Sequence, residues 1–550
     1  MNKKGIVGLV AAVVIVGGIG GFVVANRKTN TNSQGVKDQV MNLSATAPLD
    51  TIDISKSSGY GQTGNVFESF FRLGKNGKAT PGLAKSSSVS KDGKTWTFKL
   101  RDAKWSNGDP ITAKDFVYSW RRTINPKTKS EYAYLFDGIK NASAVNSGKK
   151  SPNSIGISAK DKQTVVVQLD KPIAYFKVLM AYPLFGPQNE KVIKQYGKKY
   201  ATKSKYMVYS GPFKITNWTG TGNKWSFVKN NQYWDKKVVK LNRINYTVVQ
   251  NPSTGIDLYQ QNKLDLTPLS TEQVRNYKNN NEYRQYPYSY NTFLKYNFAD
   301  SNAAKRKILN NRNIRLAISL AINRDQLTKK VLGDGSSTPT GLVPSNVAKN
   351  PKSGQDFSKQ QVVKDTVDYN SKLAREYWQK GLQELGIKKV SLGLLASNDD
   401  PEASTVTQYL KAQLQKTLSG FTLELRSIPG NAANSLTQKG DFDISLSGWG
   451  ADFNDPISHL QIPAKGTPYN YGKYDNKEYN QLIEKASDQD ANNPEKRWDD
   501  LVNASKTLNR DQGITPLYQQ VTAYLQKPTI HGVIHNTAGT QWNYKYAYMK

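Results

Sequence analysis

The chain has 550 residues, with 77 Lys and Arg against 43 Asp and Glu, so its formal net charge is +34. A chain of this length is expected to form several domains or lobes. It contains no Cys and only three His, which excludes disulfides, zinc ribbons, iron–sulfur clusters and cysteine nucleophiles and argues against a His-rich metal site.

The first 35 residues are predicted to lie outside the folded core. Two lysines precede an uncharged stretch from residue 5 to residue 25, and Arg27 and Lys28 follow it. A helix of this stretch would be about 30 Å long, the thickness of one bilayer core. The segment is either an uncleaved membrane anchor or a secretory signal with a cleavage site near Ala25. Either alternative places the rest of the chain outside the cytoplasm, on the outer face of the cell membrane or secreted.

The strongly basic composition suits two kinds of partner, nucleic acid and the anionic cell envelope. Export argues against nucleic acid, and so does the spread of lysines along the whole chain, although Lys191–Lys205 is densely basic. We therefore expect a basic surface suited to an acidic wall and no nucleic-acid partner.

Helical and strand patterns alternate through the first 330 residues. The segment 113–122 is predicted to be a helix with Thr112 as its N-cap. A long helix with one apolar stripe is predicted over 312–331. Strands are predicted over residues 96–100, 163–169 and 240–249.

The C-terminal half contains a predicted βαβ unit. A helix over 371–385 is followed by the unit itself, which indicates a parallel or mixed sheet. A later alternating strand is predicted to be broken by Gly448-Trp449-Gly450. The members of the unit are a strand at 390–395, a helix at 402–418 and a strand at 422–426; the later strand spans 441–446, and a further helix spans 480–486.

Two short motifs suggest catalysis but have simpler interpretations. Residues 59–64 match G-x-G-x-x-G, yet no acid follows at the distance a dinucleotide site needs, so a mobile glycine loop before a short helix is expected. Ser88 and Lys91 have the spacing of a Ser/Lys acyl-enzyme but lack its companion motifs, and the stretch is typical of a turn.

Two further groups resemble ligands or acids. His531 and His535 are predicted to lie on one side of a strand without a third metal ligand. Asp399, Asp400 and Glu402 are expected to cap a helix rather than to cleave glycosides. We therefore expect no catalytic residues, no metal site and no cofactor.

Two segments carry a specific pattern. They read DGKTWTFKLRDAKWSNGDPITAKDFVYSWRR at residues 92–122 and DISLSGWGADFNDP at residues 443–456. Both resemble signatures of the extracellular solute-binding proteins of ABC importers, family 5, in the oligopeptide- and dipeptide-binding group. Supporting matches lie at 66–71, 210–213, 313–325 and 474–486, so the resemblance covers about residues 45–550.

The resemblance implies an α/β fold, a two-lobe clamp like that of the periplasmic binding proteins (type II) with an extra inserted domain. Ligand would be enclosed between the lobes when the hinge closes. The implied parts are a signal or anchor segment and linker at 1–35, lobe I at 36–80, 206–306 and 521–550, an inserted small domain at 81–205, and lobe II at 307–520.

The resemblance also implies binding residues around the Gly-Trp-Gly segment. Asp452 matches the aspartate that neutralises the α-ammonium of a peptide, because a buried cation without a partner is costly. The alternative is that Asp452 only caps the helix after Pro456. Gly448 and Gly450 would offer backbone groups to the peptide, and Trp449 would line a side-chain pocket.

Other implied contacts lie in the first 306 residues. Glu68, Ser69 and Phe70 match the segment that pairs with the ligand from lobe I, and Tyr288 and Tyr290 are further pocket candidates.

Three departures from the family pattern affect these expectations. The absence of Cys excludes a lipid attached through cysteine, by which most Gram-positive members reach the membrane. Leu446 stands where some members place an arginine that helps clamp the C-terminus of the peptide, so peptide length is not predicted. Gly450 stands where a bulkier residue can occur, which predicts a roomier pocket.

The sequence therefore predicts a non-enzymatic receptor that captures oligopeptides outside the cell and delivers them to the transmembrane subunits of an ABC permease. It is expected to be a monomer, associated with the cell membrane through its N-terminal segment. One alternative is a receptor for signalling peptides of the pheromone kind. The other is a basic cell-wall adhesin or scaffold that has lost transport.

Overall fold

The protein is described here by a computed structural model that covers residues 38–49, 51–56 and 63–550. Its strands are β1 (Val40–Ala45), β2 (Phe71–Leu73), β3 (Ala79–Pro81), β4 (Ala84–Val89), β5 (Thr95–Leu100), β6 (Ile157–Asp161), β7 (Thr164–Gln168), β8 (Phe213–Thr216), β9 (Lys224–Lys229), β10 (Arg243–Val248), β11 (Leu266–Pro268), β12 (Tyr283–Tyr296), β13 (Val390–Ser397), β14 (Phe421–Ile428), β15 (Ile444–Gly450), β16 (Ile514–Gln526), β17 (Ile530–His531), β18 (Ile534–His535), β19 (Trp542–Asn543) and β20 (Tyr548–Met549).

The α-helices lie mainly in the inserted segment and in the C-terminal half. They are α1 (Thr63–Val66), α2 (Ala113–Ile124), α3 (Ala142–Asn146), α4 (Phe176–Leu179), α5 (Glu190–Tyr196), α6 (Pro252–Gln260), α7 (Thr271–Tyr277), α8 (Ala303–Asn310), α9 (Arg312–Ala321), α10 (Arg324–Gln326), α11 (Phe357–Gln360), α12 (Ser371–Leu385), α13 (Pro401–Thr417), α14 (Gly430–Lys439), α15 (Ile457–Leu460), α16 (Lys477–Ser487) and α17 (Pro494–Asp511).

A ten-stranded sheet runs through the molecule in the order β14-β13-β15-β12-β16-β11-β1-β10-β9-β8. Its two long central strands, β12 and β16, are antiparallel neighbours of 14 and 13 residues. On one side of them lie strands from the N-terminal half, and on the other lie the strands of the βαβ unit. The two halves have separate apolar clusters, one around Met41 and Trp225 and the other around Leu294 and Trp378.

A second sheet belongs to the segment between these halves. It has four antiparallel strands in the order β4-β5-β7-β6. Phe98 from this sheet and Phe116 and Trp120 from α2 are fully buried, and their apolar cluster continues into residues 451–514. The segment therefore packs directly beside the Gly-Trp-Gly region of the C-terminal half.

Most of the predicted elements are confirmed, and so are two predicted caps. The backbone N–H and hydroxyl of Thr112 both donate to the Asp115 carboxylate at the start of α2, at 2.7 and 2.9 Å. Asp400 caps α13 by accepting from the Glu402 N–H. β13, α13 and β14 form the predicted βαβ unit, with its two strands parallel and in register from Val390 to Ser397.

The single long helix predicted over 312–331 is wrong. α9 ends at Ala321, Ile322 is extended, and Asn323 caps a new helix by accepting from the Gln326 N–H at 2.9 Å. The apolar stripe continues across the break, so the pattern of hydrophobic residues did not reveal it. The cap at Asn323 is the physical reason for two helices instead of one.

The break predicted at Gly448-Trp449-Gly450 is also wrong. β15 continues to Gly450 and is paired with β12 at every position. The Tyr290 ring lies against Gly448, where any Cβ would overlap it. Glycine is therefore present for close packing and not to end the strand.

The local structure differs from the prediction at both the His531/His535 pair and the Ser88/Lys91 pair. His531 and His535 lie on two different short strands, separated by Gly532 with a φ of 71°, so the single strand predicted for them is wrong. Ser88 lies within β4, and only residues 90–93 form the turn that was expected for the whole stretch.

Several expectations concern residues outside the described part. The predicted anchor or signal and Gly59–Gln62 of the predicted glycine loop lie there; α1 follows that loop as expected. Across residues 38–49, 51–56 and 63–550, no helix has the length and apolar character that a membrane crossing requires. The same residues contain no cluster of three or more His, Asp or Glu arranged to hold a metal ion.

Candidate functional site

The C-terminal half of β15 has an open edge. Its pairing with β13 covers only Ile444 and Ser445, whereas its pairing with β12 extends to Gly450. From Leu446 onward, one edge of β15 therefore lacks a neighbouring strand in the described structure. A strand edge of this kind can pair with the backbone of an extended peptide.

Two tyrosines cover the glycines of this strand. Tyr288 and Tyr290 stack with ring centroids 5.9 Å apart. A Cβ on Gly450 would lie 3.3 Å from Cδ2 of Tyr290 and 3.6 Å from the hydroxyl of Tyr288. The structure thus brings together four of the predicted residues, Gly448, Gly450, Tyr288 and Tyr290.

Asp452 follows directly after β15 and is held by its backbone. Its N–H donates to Ser458 Oγ at 3.0 Å, and its carbonyl oxygen accepts from the Tyr182 hydroxyl. The preceding residue, Ala451, donates to Ser289 Oγ on β12. These contacts fix the carboxyl group at the end of the open edge.

Tyrosines from distant parts of the chain surround the Asp452 carboxylate. Burial raises the pKa of Tyr132 and Tyr134 from the inserted segment and of Tyr469 from the C-terminal half, and the nearby charge of Asp452 raises each of them further. The Tyr134 and Tyr469 rings lie edge to face at 6.0 Å, and Trp449 meets Tyr469 at 4.8 Å. We call Tyr132, Tyr134, Tyr469 and Trp449 the aromatic cage.

The negative charge of the Asp452 carboxylate is poorly stabilised by the residues around it. Burial raises its pKa from 3.8 to about 6, and hydrogen bonding with Tyr134 acts in the opposite direction. Its Oδ2 atom is buried and has no hydrogen-bond partner among the described residues. A carboxylate beside aromatic faces attracts an ammonium group through both charge and cation–π interaction.

A different aspartate caps the helix after Pro456. Asp455 Oδ1 accepts from the Ile457 N–H at 3.0 Å, and the same carboxylate pairs with Arg497 at 2.7 and 2.9 Å. Capping is therefore done by Asp455, and the side chain of Asp452 is not used for it.

The segment predicted to bind from lobe I is buried. Glu68 accepts from Trp234 Nε1 at 3.0 Å, and the Ser69 carbonyl accepts from the Leu83 N–H. The Phe70 ring stacks on Phe98 at 4.2 Å as part of the core.

This segment does not share a described cavity with Gly448–Gly450. Tyr182 links the two regions, since its hydroxyl contacts Asp452 while its neighbours Ala181 and Pro183 line a small cavity with Glu68 and Ser69. The binding role of residues 68–70 stays a prediction.

A cavity of about 390 Å³ adjoins the open edge of β15. Gly448, Trp449 and Tyr290 form part of its wall. Sequence reasoning missed Lys295, which also lines it, and the three cage tyrosines. The tyrosines are separated from Asp452 by up to 320 residues of chain, counted from 132 to 452, and no local pattern marks them. Lys295, a charged residue between Leu294 and Tyr296 near the end of β12, was the one detectable signal.

The sequence of this chain matches a known protein family. The profile of the bacterial extracellular solute-binding proteins, family 5 Middle, matches residues 78–471. A dipeptide-binding protein of Lactococcus lactis is 38% identical over 513 residues, which cover 92% of each chain.

Solved structures have the same architecture. Listeria monocytogenes OppA bound to peptide is 38% identical, with a TM-score of 0.75, over 94% of this chain and 99% of that one. The pheromone receptor PrgZ, solved to show its mode of peptide binding, is 36% identical with a TM-score of 0.75, over 93% of this chain and 100% of that one.

Proposed function

Because this chain belongs to the bacterial extracellular solute-binding proteins of family 5, we propose that it is the substrate-binding receptor of a peptide ABC importer. Its fold is the α/β two-lobe fold of the OppA structures. The observation that carries the proposal is the buried, unpartnered Oδ2 of Asp452, which lies at the end of an open strand edge and inside an aromatic cage.

The amino terminus of a peptide is the group that suits Asp452. Every unmodified peptide carries an α-ammonium, so one carboxylate recognises the whole class without reading side chains. The aromatic cage adds cation–π attraction and excludes water, which strengthens the charge interaction. The buried carboxylate would gain a positively charged partner only when ligand is present.

The peptide backbone is proposed to extend along β15. Residues from Leu446 to Gly450 offer an edge on which an extended chain adds as a further strand, and Gly448 and Gly450 would offer backbone groups to it. Glu68, Ser69 and Phe70 are proposed to pair from the other lobe. Since these three are buried here, the peptide would reach them only after the lobes move apart.

The proposed division into lobes follows the resemblance. Lobe I would comprise 36–80, 206–306 and 521–550, the inserted domain 81–205, and lobe II 307–520. The continuity of β12 and β16 through the large sheet supports a hinge in these strands, because they connect two separately packed halves.

The protein is proposed to act outside the cell as a non-enzymatic monomer. Its partners would be oligopeptides and the transmembrane subunits of the permease, and residues 1–35 would anchor it to the membrane or direct its secretion.

The test measures peptide affinity by isothermal titration calorimetry. It uses a pool of short peptides, each prepared with a free and with an acetylated amino terminus. The wild-type protein should bind the free forms. Asp452→Asn should weaken that binding by about 100-fold, since it leaves the ammonium buried without its partner. Binding of the acetylated forms should change little.

An exposed aspartate provides the matched control. Asp257→Asn, on α6, should bind all peptides as the wild type does. Equal losses for free and acetylated peptides in Asp452→Asn would contradict the ammonium role, and a wild-type protein that binds no peptide would favour the adhesin or scaffold alternative.

A receptor for signalling peptides is the second candidate, favoured by the likeness to PrgZ. It differs from a nutritional receptor in selectivity. Binding of one peptide from the pool at least about 1,000-fold more tightly than the others would support signalling, because a general importer binds them with similar free energies.

A further inference from the structure

Lys295 is a buried cation without a charged partner. It lies on β12 between Leu294 and Tyr296 and is 9% exposed. No ion pair or hydrogen bond of its ammonium group is found within the described residues. Its Nζ lies 4.7 Å from the centre of the Tyr471 ring, which attracts a cation only weakly.

The ammonium group remains charged at neutral pH. Burial lowers the pKa of Lys295 to about 8, and in the described part of the chain no carboxylate lies close enough to raise it again. An unpaired charge in such a position is unfavourable for the ligand-free protein. Arg324, by contrast, is a buried base whose guanidinium donates to the carbonyl groups of Pro516 and Val367.

Lys295 lines the cavity of about 390 Å³ beside the open edge of β15. It is directly opposite Ser445, so the two side chains share one face of the sheet. Ser445 and Ser447 place hydroxyls on this face, and Asn434 and Gln438 of α14 add amides to the wall. The cavity is therefore polar, with donors grouped near the cation.

Nothing in the wall neutralises this cation. Among the described residues that line the cavity, the single carboxylate is that of Asp400, which is exposed and caps α13. The other titratable groups of the wall are tyrosines, namely Tyr290, Tyr469, Tyr471 and Tyr518. The cavity thus presents one unpaired positive charge to whatever occupies it.

We propose that Lys295 binds a carboxylate of the bound peptide in this cavity and so determines a preference for acidic ligands. The inference rests on the proposed function, since the cavity is reached from a peptide that runs along β15. The carboxylate comes either from an Asp or Glu side chain or from the C-terminus of the peptide. Leu446 is uncharged, and Lys295 directly follows Leu294, the strand partner of Leu446, so Lys295 supplies the positive charge of this part of the cavity.

The experiment is calorimetry with two series of short peptides. In the first, a single Glu is moved through each position and compared with Gln; in the second, the free C-terminal acid is compared with the amide. The wild type should prefer Glu at one position, or the free acid, by at least about tenfold, as expected for a charge-assisted hydrogen bond. The two series distinguish a side-chain source from a terminal one.

Three variants test the role of the cation. Lys295→Met keeps the apolar stem and its packing on Tyr471 but removes the charge, so the preference should disappear while neutral peptides bind as in the wild type. Lys295→Arg should retain the preference. Lys307→Met, at an exposed position on α8, is the control and should behave as the wild type.

Failure of this inference differs from failure of the proposed function. Peptide binding that requires Asp452 but shows no acid preference, or a preference that survives in Lys295→Met, would overturn the inference alone. So would an equal loss of all peptides in Lys295→Met, since that indicates a structural role. A wild-type protein that binds neither series would contradict both.

Discussion

Two regions of this molecule bury charge in opposite ways. Where α2 of the inserted segment packs against residues 53–55, Arg122 and Asp53 form a bidentate pair with distances of 2.6 and 2.8 Å, and Gln188 and Ser55 make further hydrogen bonds there. At the open edge of β15, Asp452 has a buried oxygen that has no hydrogen-bond partner among the residues the structure describes. We propose that the first region is complete when folded and that the second is completed by ligand.

The paired region should be the more sensitive to loss of a charge. Arg122→Met leaves Asp53 buried without its counter-ion and should lower the free energy of unfolding by about 3 kcal/mol. Urea denaturation measures this. Arg121→Met, on the same helix, is the control and should lose less than about 1 kcal/mol, since the one hydrogen bond of its guanidinium to a described residue is a long one, 3.4 Å to the Asn153 carbonyl. Equal losses in the two variants would remove the distinction between the regions.

Removal of the unpaired charge of Asp452 should instead raise the stability of the ligand-free protein. The pKa of Asp452 is raised from 3.8 to about 6, so ionisation is disfavoured in the folded protein. The ligand-free fold therefore loses stability as the pH rises from about 4 to above 6, and Asp452→Asn avoids that loss, on the order of 2–3 kcal/mol.

Thermal unfolding of the ligand-free protein at several pH values checks this. Asp452→Asn should melt at a higher temperature than the wild type at about pH 7.5, and the difference should vanish below about pH 4, where both side chains are neutral. A variant that is less stable than the wild type at neutral pH would show that Asp452 is compensated after all.

The smallest expected effect concerns the aromatic cage. Hydrogen bonding with Tyr134 lowers the pKa of Asp452, so Tyr134→Phe should raise that pKa further. Because binding of the α-ammonium needs the ionised carboxylate, the pH at which peptide affinity is half lost on acidification should move upward by about half a unit. Tyr369→Phe, at an exposed position, should leave this midpoint unchanged. A midpoint that does not move in Tyr134→Phe would exclude the tyrosine from the site.

Predictions from the sequence succeeded where the cause was local. Thr112 and Asp115 lie three residues apart, and the βαβ unit from Val390 to Ile428 depends on hydrophobic periods that read directly from the chain. The break at Ile322 was missed because the apolar stripe continues through it. The end predicted for the strand before Gly448 was wrong because glycine there serves a contact with Tyr290, a residue 158 positions earlier.

The candidate site was predictable only in part. Asp452 and its neighbours were found through the Gly-Trp-Gly motif, which is contiguous in sequence. Tyr132, Tyr134 and Tyr469 were not found, since three tyrosines among 31 carry no signal until folding collects them around one carboxylate.

The sequence by itself determined the family, the order of the elements and the position of Asp452, because these depend on contiguous motifs and on short periods of hydrophobicity. Only the tertiary structure decided which charges are paired. Pairing depends on side chains that meet across hundreds of residues, as Arg122 meets Asp53 and as Lys295 meets no acid in the described structure. Burial and the low dielectric of the interior then make the difference between a paired and an unpaired charge large enough to matter for function.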